Sequence, residues 1–366
     1  VRDGATVTES SACAVDAASV VPDSGALFGV NLDWGAETLA EFSEQIGGSP
    51  ATAVVFSNVP FTDEDRSNLR AAAGQVRGEN SSLLVTLEPR EGLDAVTPEV
   101  AADIATLLGE ISDTGVPVIL RYAHEMNGSW YAWGQQPTAY RASFRLVAES
   151  LDDLAPGVAM MWAPNYGGGY PFAGGEFEST IISPDFRLLD TDDDGALSMA
   201  DDPYAPYYPG DDVVDWVGMS LYHWGNTHPW GENEVAEPRK FADQLTGEYV
   251  GAGGDDSGLP DFYADYVVEA GKPLAIPETA AFVTADAPAE LDLQIKRSWW
   301  SQVFSDETAE RFPGLAMINW FEWNKYEVEV DDEVDWRVGG DANVREQFVD
   351  ALPDWVRFAP ETDRCA

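Results

Sequence analysis

Basic residues are scarce in this chain. Against 65 Asp and Glu stand 20 Lys and Arg, of which only four are lysine (Lys240, Lys272, Lys296 and Lys325), and the net charge is −45. A surface of that sign repels nucleic acid, anionic membranes and acidic polysaccharides, so any large partner is expected to be neutral. No apolar run is long enough to cross a bilayer. No Gly-rich phosphate loop follows the first apolar strand, which counts against a dinucleotide-binding sheet. There is no linker, low-complexity tract or fixed-period repeat, so one domain over 1–366 is expected, as a monomer. Cysteine is nearly absent. Cys13 and Cys365 stand near opposite ends; the termini of one domain often lie together, so a bridge between them is expected, which would imply an oxidising compartment. The polar, Ala/Ser-rich lead (1–24) reads as the start of a mature secreted product.

What is present is apolar sequence in short blocks. Hydrophobic residues make up 45% of the chain, including 13 Trp, 13 Tyr and 16 Phe, which is ample for a large core. Eight blocks read as buried strands: Ala26–Asp33, Ala51–Phe61, Ser82–Glu88, Pro117–Glu125, Val158–Asn165, Val214–Tyr222, Pro273–Glu278 and Leu315–Trp320. Between them lie helical patterns. Thr97-Pro98 is an N-cap followed by a proline at the first helical position, with Ile104, Leu107, Leu108 and Ile111 behind it at helical spacing. Pro137 opens another helix with Tyr140, Phe144, Val147 and Leu151 on one face. A helix is also expected from about Pro288 to Phe304. Eight continuous apolar strands alternating with amphipathic helices predict an α/β fold, a (β/α)8 TIM barrel, with the segment 324–366 packing on it as an extension. The connections after strands five and six, about 167–213 and 223–257, are long enough to build a cleft.

The chemistry of such a barrel lies at the C-terminal ends of its strands. Those ends carry Asp33-Trp34, Glu88, His124-Glu125, Trp162 with Asn165, Tyr222-His223-Trp224, Glu278, and Trp320 with Glu322. Trp130, Tyr131 and Trp133 follow Glu125 in one short loop. Carboxylates beside flat aromatic rings suit a sugar, whose CH faces stack on indole while an acid protonates the glycosidic oxygen. Glu125 and Glu278 stand out because each terminates its strand. A retaining glycosidase needs two carboxyl groups about 5–5.5 Å apart, one as nucleophile and one as acid/base. Glu322 and Glu327 are rival carboxylates expected in the loop beyond Trp320.

A second pattern is independent of the first. Asp190-Thr-Asp-Asp-Asp-Gly-Ala-Leu-Ser-Met-Ala-Asp201 has acids at positions 1, 3, 5 and 12, Gly at 6 and an apolar residue at 8. That is the spacing of an EF-hand calcium loop with Asp in place of the usual final Glu, so a structural Ca2+ is expected on Asp190, Asp192, Asp194, the Ala196 carbonyl and Asp201. No cofactor is expected for catalysis. Asn80-Ser-Ser is a glycosylation sequon; Asn127-Gly-Ser also matches one but lies inside the candidate site.

The stretch Arg121-Tyr-Ala-His-Glu-Met-Asn-Gly-Ser-Trp-Tyr-Ala-Trp-Gly134 resembles the strand-four signature of glycoside hydrolase family 26, within the clan of (β/α)8 glycosidases. Trp162-Ala-Pro-Asn165, Tyr222 and Pro277-Glu278 extend the resemblance from strand four onward. It implies Glu125 as acid/base, Glu278 as nucleophile, Tyr222 as a hydrogen-bond donor to the nucleophile, and His124 as a sugar contact beside the acid. Trp130, Trp162 and Trp320 are the stacking platforms it suggests, and Asn127, Trp133, Asn165, His223 and Trp224 complete the candidate substrate-binding set. The family implies mainly endo-β-mannanases, with some mixed-linkage β-glucanases and β-1,3-xylanases. Tyr122-Ala123 before His124 and Tyr131-Ala132 before Trp133 depart from the mannanase pattern. The expectation is therefore a secreted retaining endo-β-glycosidase acting on a neutral polysaccharide, endo-β-1,4-mannanase first and β-1,3-1,4-glucanase next; a non-catalytic carbohydrate-binding barrel is the reading from another class.

Overall fold

The computed structural model describes residues 20–361. Its centre is eight parallel strands: β1 (Ala26–Leu32), β2 (Thr52–Asn58), β3 (Ser82–Glu88), β4 (Val118–Tyr122), β5 (Val158–Trp162), β6 (Trp216–Gly218), β7 (Leu274–Thr279) and β8 (Leu315–Glu322). Each strand pairs with the next, and β8 pairs back onto β1 with Leu27 opposite Met317 and Leu32 opposite Glu322. The sheet closes as the (β/α)8 barrel that the alternation of strands and helices predicts. The expected Cys13–Cys365 bridge lies outside the described residues.

Period-two alternation sorts the strand residues into two cores. Leu27, Val54, Leu84, Ile119, Met161, Trp216, Ala275 and Met317 form one buried cluster, inside the barrel. Their neighbours Phe28, Val55, Val85, Leu120, Met160, Val217, Ile276 and Ile318 join the larger cluster beneath the helices. Gly29 is required inside, because the Asn319 side chain occupies the position a Cβ would take. The helices begin where side chains satisfy their free N–H groups. Thr38 and Thr62 form capping boxes with Glu41 and Asp65, and Thr97 caps the helix Pro98–Ser112 with Pro98 in its first turn. Pro288 is the N-cap of Ala289–Val303 rather than its first residue.

Several strands stop earlier than the apolar runs do. β4 ends at Tyr122, three residues before Glu125, because Ala123 and Glu125 adopt φ of 47° and 54°, which no strand can carry. β6 keeps only three residues, with Ser220 meeting Asn165 beyond it in an isolated bridge. β8 runs two residues past Trp320, so Glu322 belongs to the strand and not to a loop. A hairpin of Asn324–Glu327 and Asp332–Asp335, which the sequence pattern does not announce, follows it and contains Glu327. Beyond it, Phe348 of the helix Ala342–Ala351 packs on Phe28, Trp300 and Trp320, and Val356–Arg357 pairs with β1.

Candidate active site

Glu278 reaches the barrel axis through a fault in its strand. Between β7 and β8, Ile276 pairs with Ile318 but Thr279 pairs with Trp320, so three steps on β7 oppose two on β8. Ile276 lies in the outer core, and Thr279 accepts a hydrogen bond from the Trp299 indole of a covering helix. The extra residue of the bulge lies between them, at Pro277-Glu278, and turns Glu278 inward. Bulges beside active sites re-aim side chains in this way, and a proline is tolerated in a strand at such a point.

Glu125 comes to the same place from the turn after β4. One carboxylate oxygen of Glu125, one of Glu278 and a ring nitrogen of His124 lie within 4.8 Å of one another. The two acids are held differently. Glu278 accepts from the Tyr222 hydroxyl at 2.7 Å and forms an ion pair with Arg121, which is 0% exposed. Glu125 accepts from the Trp130 indole Nε1 at 3.1 Å. Burial, and then the charge of Glu278, push the Glu125 carboxyl up to about 7, while Arg121, Ser220 and Trp130 act against them. The result is two adjacent carboxyl groups, one paired with a guanidinium and the other poised to hold a proton near neutral pH. Burial and then the charges of Arg121 and Arg90 hold His124 well below the usual histidine range, so it is neutral. Arg90 in turn forms a bidentate pair with Glu88 at the end of β3.

Arg121 is the functional residue that sequence reasoning passed over. It stands in the apolar run Val-Ile-Leu-Arg-Tyr, and a lone charge in a buried strand is itself the signal, since it must find a partner. Its second terminal nitrogen, Nη2, donates to the Ser220 hydroxyl beyond β6.

The remaining candidates divide by which way they face. Tyr222, Trp224 and Asn165 are partly exposed, and Trp130 is 37% exposed. Trp162 and Trp320 are corrections. They alternate with the inward Met161 and Asn319, so they point outward and are fully buried, Trp162 against Phe262 and Tyr266 and Trp320 against Phe348. Neither offers a face to a sugar. Trp133 is also buried, stacked on Tyr131 with its indole donating to the His124 carbonyl at 2.7 Å. Asn127 spends both ends of its amide on the backbone of Asn165, which ties the β4 loop to the β5 loop and removes its sequon from solvent. His223 is fully buried, its ring nitrogens against the Glu234 carbonyl and Lys240. Glu322 is buried on the outer face of β8, accepting from Val338 and Gly339 N–H, and Glu327 accepts from Trp336. Neither rival carboxylate reaches the axis.

Two groups of converging metal-ligand side chains occur among the described residues. His124, Glu125 and Glu278 form the first, but the buried Arg121 guanidinium already occupies Glu278 and opposes a cation there. Asp190, Asp192 and Asp194 form the second, with Gly195 at φ 87° donating to Asp190. Asp201 is not in this group and serves the loop backbone instead. Its oxygens accept from Thr191 N at 2.6 Å and Ser198 N at 2.8 Å.

Residues 85–167 match the model of the family described as glycosyl hydrolase family 26. A β-1,3-xylanase of Alcaligenes sp is 27% identical over 229 residues, covering 58% of this chain and 41% of that protein. Endoglucanase H of Acetivibrio thermocellus is 27% identical over 177 residues, covering 46% of this chain and 16% of that one. The matched region thus spans less than half the length of these curated relatives. Among solved structures, a modular endo-β-1,4-mannanase from Cellulomonas fimi superposes with a TM-score of 0.61 at 18% identity, covering 97% of this chain and 78% of that one, a likeness of fold.

Proposed function

We propose, for a chain that belongs to glycosyl hydrolase family 26, the activity of a retaining endo-β-glycosidase on a neutral β-linked polysaccharide. The observation that carries this reading is the approach of Glu125 and Glu278 within 4.8 Å. That separation suits direct attack by one carboxylate, whereas an inverting pair stands about 6.5–9.5 Å apart to admit a water. Glu278 attacks the anomeric carbon as the glycosidic C–O bond breaks, and Glu125 gives its proton to the departing oxygen. Glu125, now ionised, takes a proton from a water that attacks the same carbon and releases Glu278. Arg121 and Tyr222 orient the nucleophile throughout, and neutral His124 sits beside the acid as a hydrogen-bonding group.

Sequence likeness favours β-1,3-xylan as the first polymer to test, since it extends over 229 residues of a β-1,3-xylanase. β-1,4-Mannan comes next, on a likeness of fold to a mannanase, and mixed-linkage β-glucan third. The acidic surface supports a neutral polymer in each case. The test is product analysis on β-1,3-xylan, galactomannan and β-1,3-1,4-glucan, with Glu125→Ala and Glu278→Ala as controls. Binding to one of these polymers with no hydrolysis of any would favour the non-catalytic barrel. The proposal includes an extracellular setting and a monomer, checked by fractionation and light scattering.

The proposal also includes Ca2+ in the loop Asp190–Asp201. Asp190, Asp192 and Asp194 converge as ligands for a hard cation should, and Asp201 would have to leave its backbone partners to join them.

A further inference from the structure

Trp130 meets the acid at one atom. Its indole N–H donates to Glu125 Oε2 at 3.1 Å. An indole nitrogen is a donor only, so Oε2 acts as the acceptor in that bond and the transferable proton belongs on Oε1. The ring is held for this task. It packs edge-on against Phe172 at 5.1 Å and lies beside Tyr131 at 6.2 Å. Gly128 carries no side chain at the point where a Cβ would meet the ring at 2.4 Å. Glu125 is fixed from the other side, its backbone at φ 54° and its N–H on the Ala163 carbonyl at 2.9 Å. The remaining exposed part of the indole is free to meet a sugar.

We propose that Trp130 is a positioning residue for the proton of Glu125: its N–H assigns the proton to Oε1 and keeps that oxygen turned toward the departing glycosidic oxygen. The inference rests on the reading of Glu125 as the general acid. A sugar stacked on the ring would hold the bond in place, so leaving-group binding and proton delivery act through one side chain. Burial and then the charge of Glu278 from β7 raise the acid, while Arg121 from β4, Ser220 from the segment after β6 and Trp130 itself oppose them; Tyr131, Tyr222, Glu88 and Arg90 are the other titratable or charged groups around the site.

The experiment replaces the N–H and keeps the ring. Trp130→Phe, and benzothienylalanine at the same position as an isosteric ring without the N–H, are compared with wild type on the polymer that the wild type hydrolyses and on a 2,4-dinitrophenyl glycoside of the same sugar. Loss of the bond should move the alkaline limb of kcat/KM up by about half a pH unit, because a donor to the carboxylate form is gone. Turnover of the polymer should fall about tenfold, whereas the dinitrophenyl glycoside, whose leaving group needs no proton, should form the glycosyl-enzyme at the wild-type rate. A limb that stays in place, a rise in KM alone, or an equal loss on both substrates would overturn the inference. Near-normal rates in Glu125→Ala would instead remove the reading on which it stands.

Discussion

The Tyr222 hydroxyl donates to Glu278 Oε2 at 2.7 Å, and Arg121 holds the opposite oxygen. Nothing in this arrangement orients Glu125, so loss of Tyr222 should touch the nucleophile and leave the acid. Tyr222→Phe should lower turnover roughly tenfold to a hundredfold, the worth of a charge-assisted hydrogen bond. Glu278→Ala should remove about a thousandfold or more. Steady-state rates with Glu125→Ala as a parallel control measure both. Wild-type turnover in Tyr222→Phe would count against its place beside the nucleophile.

Activity should decline as pH rises through about 7, the value to which burial and Glu278 push Glu125, because the acid loses the proton it must donate. A pH–rate profile flat from 6 to 9 would contradict the assignment.

Glu322 gives a matching prediction for stability. Burial pushes its carboxyl up to about 7 from an ordinary 4.5. Between those values the folded chain keeps a proton that the unfolded chain has released, so this group's contribution to stability falls as pH rises across that window. The buried His124 and His223, held low, act in the opposite sense below their ordinary value, so the wild-type curve alone is a sum. The difference between Glu322→Gln and wild type isolates the carboxyl. By calorimetry the variant's relative Tm should be higher at pH 8 than at pH 5, by about 2 °C or more. A pH-independent difference would sink the account.

Salt should stabilise this protein. With 65 acids against 20 bases, self-repulsion destabilises the compact state and mobile ions screen it. Melting temperature should climb by several degrees between about 0.1 M and 1 M NaCl. A fall would mean that ion pairs such as Arg145–Asp212 outweigh the repulsion.

Added Ca2+ at about 1–5 mM should raise the melting temperature and a chelator should reverse it, as ligand linkage requires. Asp190→Ala with Asp192→Ala should abolish the response. An unchanged melt in the wild type would remove calcium from the proposal.

The barrel and the two glutamates were legible because apolar runs and the polar residues that end them survive as local patterns. Glu125 and Glu278 were marked as strand-end acids and the structure brings them together, although Glu125 lies three residues beyond β4 and Glu278 faces the axis only through its bulge. Whether Trp162 and Trp320 face the axis or the helices could not, since that depends on phase, and one residue of register exchanges the two faces. An indole at a strand end reads the same in sequence either way. The roles of Asn127, Trp133 and His223 were hidden for a related reason: each serves a backbone group on a loop remote or folded back in three dimensions. Arg121 was visible as a charge in the wrong company, though its partner lies 157 residues away.

The irregularity at Pro277-Glu278 makes the position of a catalytic side chain along the barrel a matter of counting residues. Removing Pro277 would leave Glu278 as the one residue between the outward-facing Ile276 and Thr279, its carboxylate still turned inward but the strand on one side of it drawn along by about 3.3 Å, with every catalytic amino acid still present. An engineer transplanting this strand into another barrel must therefore carry over its length as well as its letters, and chemistry would be lost by deletion where substitution scanning had found nothing to forbid it.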